Sequence, residues 1–161
     1  MAQGDAYELA KAEEATLGFV ISRSKNSNVV CYCVNRTEDG AIDEANPLNI
    51  FWIMYENEGN PREGLNLIER NTAYGASATA VGDGRFEAHV ASINDRVVVF
   101  FIGEDNDVWA TTTINGVENM RLLRVFVNAT SNWVGLPTVN YVEIFGVNPE
   151  TGEAVYEKKI P

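Results

Sequence analysis

VGDGRFEAHVASINDRVVVFFIGEDNDVWATTTINGVENMRLLRVFV, residues 81–127, is the stretch whose reading decides the fold. Asp83-Gly84, Asn94-Asp95, Asp105-Asn106 and Asn115-Gly116 recur at nearly even spacing and separate runs rich in Val, Phe, Thr and Ile. Two-residue loops of this kind fit antiparallel hairpins, because Asn, Asp and Gly reach the backbone angles that tight turns require. Phe86, Ala88 and Val90 alternate with Arg85, Glu87 and His89, the period of a strand with one buried face. Hairpins in series make a meander, and a meander must close or gain a second sheet to manage its edges.

Working outward, Leu17 to Arg23 and Asn28 to Asn35 read as a hairpin about Ser24-Lys25-Asn26-Ser27, with Leu17, Phe19 and Ile21 expected on one face. Asn49 to Glu56 is apolar on both faces, so something must cover its outer side. Asn60-Pro61 followed by Glu63 reads as an N-cap, a first-turn proline and a capping-box glutamate, and Leu65, Leu67 and Ile68 follow as a stripe. A helix is expected at 61–71 as that cover, and a thinner one at about 5–14. Further strands are expected at 76–82, 139–147 and 152–159. The expected fold class is mainly β: an antiparallel meander of about ten strands forming a closed or partly open barrel, or a two-sheet sandwich. One domain over 1–161, with residues 1–15 as an N-terminal extension, accounts for the chain.

Composition narrows the function classes. Apolar residues make up 45 % and charged residues 22 %, a globular balance. A net charge of −11 argues against non-specific binding to nucleic acid or to an anionic membrane surface. No apolar run spans a bilayer and no basic, apolar leader stands at the N-terminus. A cytoplasmic location is expected, or a chain whose signal has been removed.

Cys31 and Cys33 fall on one face of a strand and read as buried thiols, with a redox or metal pair as the alternative. The loop Asn35 to Asn46 has oxygen ligands at calcium-loop offsets but carries Asn46 where a bidentate glutamate is needed, so it reads as a turn. His89, beside Arg85 and Glu87, reads as a surface histidine more readily than a general base. Alanines at 76, 78 and 80 admit either a closely packed helix or a cavity. No cofactor motif, glycine-rich phosphate loop or nucleophile elbow is present. Arg23, Lys25, Arg36 and Arg70 flank the first strands and the expected helix, where charge-assisted bonds to a carboxylate or phosphate are chemically reasonable.

Several short blocks carry a resemblance: Arg23-Ser24-Lys25-Asn26 before Asn28-Val29-Val30-Cys31-Tyr32, Asn46-Pro47 leading to Phe51-Trp52-Ile53-Met54-Tyr55, and Glu69-Arg70 with Ala73-Tyr74-Gly75. Over roughly residues 17 to 127 the chain resembles a family defined only as a domain of unknown function, numbered 4833. The resemblance implies no activity. It ranks Arg23, Lys25, Asn26, Asn28, Asn46, Arg70 and Tyr74 above His89 as site residues, or as a polar cluster that locks the helix to the barrel.

Three functions are compatible with these features. The first is non-enzymatic binding of a small ligand inside the barrel or at its mouth, in a barrel similar in size to the lipocalins but without their Gly-x-Trp. The second is an assembly module, joining a protein partner or a second copy through an exposed edge or through Trp109, Trp133 and Tyr141. The third is an enzyme acting on a small anionic substrate, with Tyr74 or His89 moving a proton.

Overall fold

The computed structural model describes residues 6–70, 74–131, 134, 135 and 137–161. Its elements are α1 (Ala6–Glu13), β1 (Leu17–Arg23), β2 (Val29–Val34), β3 (Leu48–Ile53), β4 (Arg62–Gly64), α2 (Leu67–Arg70), β5 (Ala76–Gly82), β6 (Arg85–Val90), β7 (Val98–Ile102), β8 (Val108–Ile114), β9 (Val117–Ser131), β10 (Pro137–Val147) and β11 (Ala154–Lys159). A single 3-10 turn at Ala91–Ile93 follows β6 and tucks Ile93 into the core.

The hairpins form where the turn residues place them. Asp83 and Gly84, like Asn115 and Gly116, all have positive φ, the backbone of a two-residue loop matched to strand twist. The strands run β4-β3-β2-β1-β9-β8-β7-β6-β5 in one curled, open sheet, with β10 and β11 added beyond β9. This is the partly open form of the expected barrel. It departs from an uninterrupted antiparallel meander at one junction, where β1 and β9 run parallel. The cause is the crossing from β4 to β5. That step carries the chain from one sheet edge to the other, so β9 returns to the middle alongside β1.

β9 is the hinge of the sheet. Its residue Arg121 pairs with Thr111 on β8 and Val147 on β10, and Val125 pairs with Ile21 on β1 and Ile144 on β10. β8 and β1 therefore share successive halves of one β9 edge, while β10 follows the other. A register slip between Phe145 and Gly146 lets the long pair bend there.

The concave side is filled. Phe19, Tyr32, Phe86, Phe100, Ile93 and Leu122 are among the residues buried together there, and the Phe19 and Tyr32 rings stack at 4.4 Å. A second cluster lies on the convex side, where Leu17, Val20, Val29, Cys31, Cys33 and Ile53 are covered by Ala6 and Ala10 of α1. The register shift at Gly18 turns Leu17 to this outer side, away from Phe19 and Ile21, so the expected Leu17–Phe19–Ile21 face is split.

The expected helix at 61–71 is corrected. Arg62–Gly64 is strand β4 on β3, and among the described residues of this span only Leu67–Arg70 is helical. Asn60, read as the N-cap, has φ 48 and lies in the turn before β4. The capping box is set six residues later: the Glu69 N–H donates to Asn66 Oδ1 and the Asn66 N–H donates to Glu69 Oε1, each at 2.9 Å. Of the expected stripe, Leu65 is buried in the core, but Leu67 is exposed. The cover for β3 is instead α1. Arg62 on β4 holds it through Glu13 and Glu14 at 3.2 and 2.9 Å, and Lys11 reaches Asp107 beyond β7 at 2.5 Å.

Candidate functional site

Two clefts lie on either side of α2. The first is bounded by Arg23, Ser24 and Lys25 at the end of β1, Asn66 and Glu69 at α2, Tyr74, and Ala129 to Ser131 at the end of β9, and it encloses about 270 Å³. The second lies between the start of β3 and the start of β5, with Arg70 and Leu65 on its wall, and encloses about 450 Å³.

Arg23 is the candidate whose surroundings are best defined. It ends β1, paired to Val127 of β9, and so is fixed by the middle of the sheet. Its guanidinium carbon lies 4.3 Å from the centroid of the Trp52 ring, a cation–π contact, and Trp52 meets Tyr74 edge-on at 5.3 Å. The Tyr32 hydroxyl donates to the Tyr74 carbonyl at 2.6 Å, which ties this trio to the core. Arg23 Nε and Trp52 Nε1 are both buried donors with no hydrogen-bond acceptor among the described residues. Leaving such a donor unmatched costs on the order of 1–3 kcal/mol; the same pattern recurs where Arg121, its Nε also unmatched, lies over Trp109. Burial pushes the Tyr74 hydroxyl pKa up, and the facing Arg23 cation offsets part of that rise.

The other expected residues divide. Lys25 is exposed on the lip of the first cleft. Asn26 accepts the Asn28 N–H at 3.1 Å and lines a smaller hollow with Ser22 and Arg23. Asn28 is buried, and its Oδ1 accepts the Glu56 N–H at 2.9 Å, while Glu56 accepts from the Ser27 N–H and hydroxyl. Asn26 and Asn28 thus lock the β1–β2 turn, a positioning task just behind Arg23. Asn46 and Arg70 line the second cleft, across α2 from Arg23. Of the residues expected from the sequence, Arg23, Lys25 and Tyr74 line one cleft, and Asn66, Thr130 and Ser131, which the sequence reading does not anticipate, line it with them. The strand-end hydroxyls carry no local signal, because only the parallel β1–β9 pairing brings them to Arg23.

The remaining sequence candidates are accounted for locally. Burial pushes both thiols up, Cys33 to about 12, and both cysteines are free. In the 35–46 loop, Asp39 accepts from Thr37 and the Ala41 N–H, and Asp43 from the Ala45 N–H, which are turn interactions. No group of three metal-ligating side chains is gathered among the described residues. His89 is exposed. Trp109 stacks with Phe101, lies under Arg121 and donates to Asp105, and Tyr141 lies under Lys158. Trp133 and Ala73 lie outside the described residues. No helix among the described residues is long and apolar enough to cross a membrane.

No curated protein and no solved structure matches the chain. A family model described as a domain of unknown function, DUF4833, matches residues 19–158, a span that holds every strand from the body of β1 to that of β11, together with both clefts. The chain therefore belongs to the DUF4833 family.

Proposed function

We propose that this protein binds a small organic anion, a carboxylate or phosphate monoester, in the cleft between Arg23, Lys25 and Tyr74. The observation that carries the reading is the Arg23 guanidinium, stacked on Trp52 with its buried Nε unmatched. A guanidinium held rigid on an aromatic face loses little freedom on pairing, and its fork suits the two oxygens of such anions. Lys25 adds a second cation on the lip, and Thr130 and Ser131 add hydroxyls. Glu69, the acid on this wall, accepts the Asn66 N–H. The cleft is at the small end of the range for ligand sites, which favours a compact ligand. The filled concave core favours a site at the mouth over one inside the barrel.

A thermal-shift titration with acetate, benzoate, inorganic phosphate and phenyl phosphate tests the reading on the natural chain and on Arg23→Met. Methionine keeps an apolar stem over Trp52 and removes the cation. The expected result is a concentration-dependent rise in Tm for at least one anion that Arg23→Met abolishes. No rise, or an equal rise in both proteins, overturns it.

A further inference from the structure

We infer that the second cleft is a strand-addition site, which takes an extended segment of a protein partner antiparallel to both β3 and β5. The argument begins with strand directions. Following the ladder from β1 through β2 gives β3 the direction of β1. Following β9, parallel to β1, through β8, β7 and β6 gives β5 that same direction. A strand antiparallel to one seam edge is therefore antiparallel to the other.

The backbone phase also agrees. The Met54 N–H donates to the Pro61 carbonyl, which sets Trp52 and Ile50 as the residues whose polar groups turn toward β4. Yet β4 pairs only Phe51 to Ile53, so the seam begins at Ile50. On the other side, the Ala91 N–H donates to the Gly75 carbonyl, so Gly75 and Ser77 face β6 while Ala76 and Ala78 turn their N–H and C=O outward. Ile50, Ala76 and Ala78 all line the 450 Å³ cleft. Their side chains pack only partly against the core, as expected where one strand is missing from a closed ring. The small β5 side chains leave room for the incoming ones.

Charge selects the occupant. Among the described residues that line this cleft Arg70 is the single charged one, so the segment that fits carries an acidic side chain among apolar or β-branched ones. It would continue the line of β4 over about three to five residues and close the barrel.

The test is selection of phage-displayed random nonapeptides on the natural protein, followed by binding of the selected peptides as synthetic, fluorescein-labelled chains. Ala78→Pro removes one outward N–H and no β5–β6 bond, and proline is tolerated at such an edge position. The expected result is enrichment of β-branched, acidic peptides whose affinity falls about tenfold or more with Ala78→Pro and with Arg70→Glu. N-methylation of alternate peptide amides should cause a similar loss on the natural protein, a measurement that stands even if Ala78→Pro does not fold. Absence of enrichment, or peptides indifferent both to Ala78→Pro and to N-methylation, overturns the inference. Peptides lost with Arg23→Met but not with Ala78→Pro assign their binding to the anion cleft instead and overturn it equally.

Discussion

The guanidinium of Arg23 lies on the Trp52 ring at 4.3 Å, at the point where β1 leaves the sheet beside β9. The stack fixes a cation without neutralising it. Arg23→Lys keeps the charge but gives up the planar stack and the two-pronged donor. Its affinity for the anion that stabilises the natural protein should fall about tenfold or more, with unliganded Tm changed by only a few degrees. Titration calorimetry on both proteins checks this, and equal affinities would refute a bidentate role.

The α1 cover makes Cys31 and Cys33 a built-in reporter. Ala10 is fully buried against the convex cluster, so Ala10→Glu would place a carboxylate against that apolar surface. The helix should lift, and the thiols should react with an aromatic disulfide reagent about tenfold faster or more, while far-ultraviolet circular dichroism keeps its strand signature. Unchanged thiol reactivity would mean that α1 does not control access.

Arg96 clamps β11 to the turn that precedes β7. It makes two bonds of 2.7 Å to the Glu157 carboxylate, donates to the Thr113 carbonyl and pairs with Asp95, and Glu157 also accepts the Asn115 N–H. The Arg96 side chain is 10 % exposed and that of Glu157 21 %, so the pair is more than a surface contact. Glu157→Gln should cost about 1–3 kcal/mol by urea unfolding at neutral pH. Arg96 holds both the Glu157 and the Asp95 carboxyls below their ordinary values. A lowered folded-state pKa gives stability that is present above the ordinary carboxylate value and lost as pH falls through the folded one. The gap between natural protein and variant should therefore shrink between neutral pH and about pH 3.

Asn66→Ala removes the side-chain acceptor of the α2 capping box and should destabilise that segment by about 1 kcal/mol. Because α2 stands between the two clefts, hydrogen exchange should quicken at the amides of 67–70 before it changes in β7 or β8. A uniform change along the chain would show that α2 has no stability of its own.

Much of this architecture is legible in the sequence, for identifiable reasons. The turns at Asp83-Gly84 and Asn115-Gly116 are local chemistry, and their strands follow within a residue or two. The helix at 61–71 misleads because Asn60-Pro61 and Glu63 imitate a cap, whereas the working box is Asn66 with Glu69 and needs no long apolar face. The parallel meeting of β1 and β9 is a long-range event with no local mark. It is also what brings Arg23 to Thr130 and Ser131. Arg23 and Lys25 are visible as cations flanking the first strands, and Tyr74 enters through the family resemblance. Their separation from Arg70 across α2 is set by the short helix and could not be read from spacing.

Native mass spectrometry in the presence of an excess, in turn, of acetate, benzoate, inorganic phosphate and phenyl phosphate tests the anion-binding account most directly. The account predicts one bound anion on the natural protein for at least one of the four and a bare mass for Arg23→Met with that same anion. An identical adduct on both proteins for every anion that binds, or a bare mass for both with all four, would contradict it.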